Sequence, residues 1–200
     1  MDYEIPENIR LMLDTVRRFV RQDLEPISQK VEDEDRIPDA VVQTMRELGL
    51  FGLSIPEDYG GLGLAVLGEC LVYEELSKVN ACFRTRIGTN NGIGSQGIVI
   101  DGTEEQKRTY LPRLASGEWI GVFALTEPEA GSDAANIQTT ARQEGDTWIL
   151  NGRKHFITNG DIADVATVFA LTDKEKRAKG GITGFLVEKT YPGFFVGAIE

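Results

Sequence analysis

The spacing of apolar residues changes once along this chain, and that change constrains the fold more than any other feature. After Pro6, a residue suited to a helix start, Ile9, Leu13, Val16, Phe19 or Val20, Leu24, Ile27 and Val31 recur at helical spacing. Pro26 is expected to kink or break this helix. The acidic run Glu32-Asp33-Glu34-Asp35 reads as a solvated helix end or turn, since nothing fixes the geometry a metal would need. A second helix is predicted from Pro38 to Leu48, stopped by Gly49, and a third from about Leu64 to Val79. Between them, Leu53 to Gly63 is a glycine-rich loop without the Gly-Lys-Ser/Thr ending of a phosphate-binding loop, and it reads as structural. Ala81 to Ile100 is rich in small residues. A helix there carries a cost of roughly 1 kcal/mol per Gly relative to Ala, tolerable where another helix or a ligand must approach closely. Thr103-Glu104-Glu105-Gln106 has the pattern of a capping box, opening a helix that fades before Gly117.

From Trp119 the period becomes two. Predicted strands are Trp119–Thr126, Ile137–Gln143, Trp148–Leu150, Lys154–Ile157, Val165–Leu171, Gly184–Val187 and Phe194–Ile199, with turns at Gly145-Asp146, Asn151-Gly152 and Pro192-Gly193. Lys174 to Gly180 reads as a charged, exposed loop. Helices followed by strands give an α+β fold. The boundary is placed between Leu114 and Trp119, dividing an N-terminal helical domain (1–117) from a β domain (118–200).

With 200 residues and 41% hydrophobic content, the chain can bury a real core. A net charge of −11 argues against nucleic acid and against an anionic membrane surface as partners, so an anionic ligand needs a local basic or N–H-rich site. No run is apolar enough to span a bilayer and the N-terminus lacks a signal-peptide pattern, which gives a cytoplasmic expectation. Cys70 and Cys82 lack metal-like spacing and read as reduced, partly buried thiols.

The chemistry concentrates between Phe123 and Gly160. Leu125-Thr126-Glu127-Pro128-Glu129-Ala130-Gly131-Ser132-Asp133 is an apolar run opening into a loop with hydroxyls and successive backbone N–H groups, which suits an anionic or polar heterocyclic ligand. In Phe156-Ile157-Thr158-Asn159-Gly160, a strand would put Phe156 and Thr158 on one face, offering a stacking plate and a hydrogen-bond donor to a flat polar ring. Taken singly, Thr126 and Ser132 are ordinary turn residues; the two stretches together are not explained that way. His155, the only histidine, should then face away from Phe156 and serve structurally. One His without suitably spaced Cys makes a zinc site improbable, so no metal is expected, and no Gly-x-Ser-x-Gly elbow suggests a serine hydrolase.

At these two stretches the chain resembles the acyl-CoA dehydrogenase family, in motif order and in separation. The resemblance implies a helical N-terminal domain, an incomplete β-barrel-like middle domain and FAD as cofactor. Phe123, Leu125, Thr126, Phe156, Ile157 and Thr158 would line or contact the flavin, and Ser132 would touch the cofactor or the CoA part of the substrate. The family often has tryptophan where Phe156 stands; phenylalanine keeps the flat face and loses the indole N–H. Arg84 and Arg86 read either as a solvated helix face or, for one of them, as lining the acyl end of the cavity. The glutaryl-CoA branch carries an arginine in the segment that Phe83-Arg84-Thr85 resembles, while Gly88 replaces a hydroxyl residue of that branch.

The implied reaction converts an acyl-CoA to its 2,3-enoyl-CoA by loss of an α-proton to a carboxylate and of a β-hydride to flavin N5. In the family that carboxylate is a glutamate of a C-terminal helical domain. The sequence ends at Glu200 before any such domain, so no residue here is assigned as the base, and Glu127 reads as structural or cofactor-supporting. The expectation is a piece of a longer enzyme, because an incomplete barrel leaves unpaired strand edges. An electron-transfer flavoprotein as electron acceptor and a homodimer or homotetramer are also implied. The alternatives are a flavin oxidase, desulfinase or monooxygenase on the same fold, or a non-catalytic flavin- or acyl-CoA-binding module.

Overall fold

The computed structural model describes residues 4–197. Seven α-helices precede five strands among them: α1 Glu7–Phe19, α2 Ser28–Glu34, α3 Asp39–Glu47, α4 Val66–Leu76, α5 Ala81–Asn91, α6 Gln96–Asp101 and α7 Glu104–Ala115, then β1 Gly121–Ala124, β2 Thr140–Glu144, β3 Thr147–Asn151, β4 Val165–Leu171 and β5 Ile182–Glu188. This is the α+β order expected, with the helices gathered before an open sheet.

Pro26 changes the pitch of the first helical rod without breaking it. Between α1 and α2 the chain makes a widened π turn, Val20–Leu24, and then a tight 3-10 turn, Glu25–Ile27. Proline has no N–H to give to the carbonyl four residues back and its ring crowds that carbonyl, so the regular ladder has to open just before it. The acidic run closes α2, where Asp35 takes a left-handed φ of 48°. Both hydrogen bonds of the expected capping box are formed: Gln106 N–H donates to Thr103 Oγ1 at 3.2 Å, and Thr103 N–H donates to Gln106 Oε1 at 2.9 Å. The Ala81–Ile100 stretch divides into α5 and α6. At the break, a Cβ on Gly94 would lie 2.4 Å from the Gly121 carbonyl oxygen, so glycine is what lets this turn press against the start of β1.

Asn90 fastens the helices to the sheet. It is buried; its Nδ2 donates to the Leu114 and Trp119 carbonyls, both at 2.8 Å, and its Oδ1 accepts from Gly121 N–H at 2.9 Å. The helical core, including Leu13, Phe51, Leu76, Phe83 and Ile87, continues into Val122 and Ala124 of β1. Residues of the other parity, Phe123 and Leu125, face away from it. Phe123 packs its ring 4.8 Å from that of Phe169, and Leu125 joins Ala130, Ile137 and Leu171 in a smaller cluster.

β4 is the central strand. β1 runs parallel to it with Gly121 opposite Val165, and β5 runs antiparallel on its other edge with Leu171 opposite Ile182. β2 meets β4 through a single parallel pair, Thr140 with Leu171, and forms an antiparallel hairpin with β3.

Several expectations are corrected. The strand predicted at Lys154–Ile157 does not form: Phe156 has φ 53° and Asn159 φ 60°, so the chain bends where a strand would run straight. The strand predicted from Ile137 starts only at Thr140, because the N–H groups of Gln138 and Thr139 donate to the Glu127 carboxylate instead of a ladder. The segment predicted as a strand from Phe194 carries none over 194–197, and its remainder lies outside the described residues. Cys70 is exposed, not partly buried, and Cys82 is half-buried; both are free. Among the described residues, no helix is long and apolar enough to cross a membrane.

Candidate functional site

The first motif leaves the end of β1 and reverses at once. Glu127 and Ala130 exchange backbone hydrogen bonds of 3.0 and 3.1 Å across Pro128-Glu129. This turn points the Glu127 side chain inward, where it is 5% exposed. Its carboxylate accepts from Gln138 N–H at 2.5 Å, Thr139 N–H at 3.0 Å, Thr139 Oγ1 at 2.5 Å and Lys154 Nζ at 2.8 Å. Burial pushes the Glu127 carboxyl upward, but the hydrogen bonds from Lys154, Thr139 and Gln138 outweigh it and hold its pKa at about 2. Burial pulls Lys154 below its ordinary value, opposed by the same carboxylate. A carboxylate with four donors is a structural anion, not a proton acceptor poised for chemistry.

That ion pair joins the two motifs. Lys154 Nζ also donates to the Leu125 carbonyl at 3.0 Å, and the next residue's N–H, that of His155, donates to the Thr126 carbonyl at 2.9 Å. Gly152 gives the second segment room to approach, since a Cβ there would sit 2.2 Å from Thr139 Oγ1. The far end of the second motif is tied to the helices: Asn159 Nδ2 donates to the Thr85 carbonyl at 3.2 Å and to Thr89 Oγ1 at 3.0 Å.

Around this clamp the expected site residues take different positions. Thr126 is half-buried and Thr158 exposed, and neither hydroxyl has a hydrogen-bond partner among the described residues. Phe156 is 72% exposed, with its ring stacked on His155 at 3.9 Å between centroids and 26° between planes. This corrects the expectation that the two rings point to opposite faces, which assumed a strand. Ile157 turns the other way and packs half-buried against the helical core. Phe123 and Leu125 lie on the sheet face turned from the helices. Ser132 is exposed at the tip of the loop, where the N–H groups of Gly131, Ser132 and Asp133 donate to no acceptor among the described residues. Such a run of unspent donors suits an anion.

Arg84 lies on α5 beside the residues that receive Asn159. Its guanidinium carbon sits 4.7 Å from the centre of the Tyr73 ring, and a Cβ on Gly88 would come within 3.4 Å of Arg84 Nη1. The Arg84 side chain therefore lies along the helix over Gly88. Arg84 makes no ion pair among the described residues. Arg86 is half-buried with its Nε unpartnered, and burial first, then nearby Arg46, pulls its pKa down. Lys154 and Asn159 went unnoticed as site-forming residues in the sequence. The available signal was an acid in the first motif and a base just ahead of the second.

The comparisons with known proteins concern the chain as a whole. Residues 6–118 match the acyl-CoA dehydrogenase N-terminal domain, and residues 122–200 match the acyl-CoA dehydrogenase middle domain. The chain is 40% identical, over 100% of its length and 52% of the relative's, to a short-chain specific acyl-CoA dehydrogenase of Clostridium acetobutylicum. It is similar to a chain from a structural study of the electron transferring flavoprotein of Acidaminococcus fermentans, with TM-score 0.94 and 42% identity, covering 100% of this chain and 52% of that one. It is also similar to a glutaryl-CoA dehydrogenase of Mycobacterium smegmatis in complex with FADH2, with TM-score 0.88 and 38% identity, covering 98% of this chain and 49% of that one. The chain thus spans about half the length of the curated relatives it matches. With both of its parts matched in order, the chain belongs to the acyl-CoA dehydrogenase family.

Proposed function

We propose that this chain supplies the flavin and acyl-CoA contacts of an FAD-dependent acyl-CoA dehydrogenase. The observation that carries the reading is the bond from His155 N–H to the Thr126 carbonyl, which together with the Glu127–Lys154 pair fastens the segment of Thr126 to the segment of the exposed Phe156. The residues present fit the cofactor chemically. A flat aromatic face stands exposed at Phe156, and among the described residues the hydroxyls of Thr126 and Thr158 and the N–H groups of Gly131 to Asp133 have no partner.

In this reading Phe156 and the Phe123–Leu125 edge hold the ring system, while Thr126 and Thr158 donate to its polar rim. Ser132 and its neighbours take a phosphate of the cofactor or of CoA. FAD, when bound, accepts the hydride that leaves the substrate's β-carbon. The α-proton goes to a carboxylate that this chain does not assign, since Glu127 is held ionised and fully hydrogen-bonded. Arg84, free of an ion pair among the described residues, takes the distal carboxylate of a dicarboxylic acyl group. An electron-transfer flavoprotein as electron acceptor is supported by the structural relative from Acidaminococcus fermentans. A homo-oligomer and a cytoplasmic setting complete the proposal; the exposed free thiol of Cys70 suits a reducing compartment.

The test is the visible spectrum of the intact protein during anaerobic addition of short-chain, medium-chain and dicarboxylic acyl-CoAs. Bleaching of the flavin band by one class supports the dehydrogenase and names its substrate. A spectrum indifferent to all three rejects it, and rapid re-oxidation by air points to an oxidase or monooxygenase. R84A should weaken bleaching by the dicarboxylic thioester alone; equal loss with every chain type removes the role given to Arg84.

A further inference from the structure

The loop that carries Ser132 is fastened at its far end by a residue of a different hairpin. Between β4 and β5 the chain makes an excursion over residues 172–181. Asp173 Oδ1 accepts from the N–H groups of Glu175 and Lys176 at 3.0 and 3.1 Å, and Arg177 N–H donates to the Asp173 carbonyl at 3.1 Å. Gly181 N–H closes onto the Arg177 carbonyl at 2.6 Å, and a Cβ on Gly181 would lie 2.2 Å from the Asp173 carbonyl oxygen, so no other residue lets the turn close this tightly. Arg177 itself is held at φ 45°, a conformation costly for a side-chain-bearing residue. From this knot a single atom, Arg177 Nη2, reaches Ala135 O at 3.1 Å, Asn136 Oδ1 at 3.1 Å and Ile137 O at 3.2 Å. The half-buried Arg177 thus gives charge-assisted hydrogen bonds to three acceptors on one short segment.

We propose that Arg177 is a positioning residue: its guanidinium fixes the 131–137 loop so that the N–H groups of Gly131, Ser132 and Asp133 converge on a phosphate. The inference rests on the reading above that this loop contacts FAD or CoA. Its near end is set by the backbone bonds between Glu127 and Ala130, and its far end by Arg177 together with the Glu127 carboxylate, which takes the N–H groups of Gln138 and Thr139. With both held, the exposed tip keeps one shape before the ligand arrives, so less ordering entropy is lost on binding. Arg177 touches no ligand in this arrangement and acts only through the backbone it grips.

The test compares R177M, which keeps an unbranched stem but donates no hydrogen bond, with R177K, whose ammonium can donate to the same acceptors. Hydrogen–deuterium exchange of the intact protein without ligand is read at the Asn136 amide, whose N–H donates to the Asp133 carbonyl at 3.0 Å inside the loop, and over β4, alongside titrations with FAD and with CoA. R177M is expected to raise exchange at Asn136 about tenfold or more, leave β4 unchanged, and weaken FAD, CoA or both by about tenfold; R177K should recover most of each loss. Whichever ligand weakens identifies whose phosphate the loop holds. Unchanged exchange at Asn136 in R177M overturns the inference, as does raised exchange with both affinities intact. Wild-type protein that binds neither ligand refutes the functional reading itself, and with it the phosphate; the exchange comparison then still shows whether Arg177 orders the loop.

Discussion

The Glu127 carboxylate and the Lys154 ammonium, 27 residues apart in sequence, meet at 2.8 Å with side chains only 3% and 11% exposed, and between them fasten one motif loop to the other. The pair is unequal. Among the described residues Glu127 has three further donors from Thr139 and Gln138, whereas Lys154 has besides it only the Leu125 carbonyl. E127A should therefore cost roughly 3–5 kcal/mol, because it leaves a buried ammonium and two backbone N–H groups without their acceptor. K154M should cost less, about 1–3 kcal/mol, because the carboxylate keeps its other donors. Urea unfolding of both variants checks the order.

The same carboxylate makes stability depend on pH. Its pKa is about 2 in the folded chain against an ordinary 4.5, so the unfolded chain takes up the proton first as pH falls. The contribution is fully present above about pH 4.5 and is lost as pH drops toward 2, a total on the order of 3 kcal/mol. Unfolding free energy measured at steps from pH 6 to pH 3 should fall more steeply for the wild type than for E127Q.

Gly152 tests the packing of the clamp without touching its charges. A methyl group there meets Thr139 Oγ1 at 2.2 Å and Thr139 Cβ at 2.6 Å, and the Thr139 hydroxyl is one of the donors to Glu127. G152A should cost about 1–3 kcal/mol and weaken FAD binding in parallel, as thermal melts and titration would record.

Asn90 ties the end of α7 and the start of β1 to α5. N90A would orphan the Gly121 N–H and two carbonyls in a buried setting, a loss of roughly 3 kcal/mol. Equal stability of wild type and variant in denaturant would show that water takes over the side chain's bonds.

Phe156 should trade stability for binding. It holds φ 53° while 72% exposed, so the folded chain gains little from its ring and bears backbone strain. F156G is expected to stabilise the protein by about 0.5–1 kcal/mol in denaturant unfolding.

Much of this was legible in the residues. Helical spacing to Val31, the capping box at Thr103 and the alternation from Val165 to Leu171 each describe an element that formed, because local periodicity and local hydrogen bonds decide such elements. The strand expected at Lys154–Ile157 is absent for the opposite reason. Its alternation resembles a strand, but a strand needs a ladder, and here a lysine side chain reaching Glu127 replaces it. The late start of β2 has the same cause, with Glu127 taking N–H groups that would otherwise pair. Contacts made by one side chain across 27 residues leave no periodic trace, and neither does the reach of Arg177 across 40 residues to Ile137.

The most direct measurement is a titration of the intact protein and its F156A variant with FAD, followed by flavin fluorescence. Two clamped loops holding the flavin predict saturable quenching in the wild type and an affinity about tenfold weaker in the variant. No binding by the wild type, or equal affinity in the two proteins, would contradict the account.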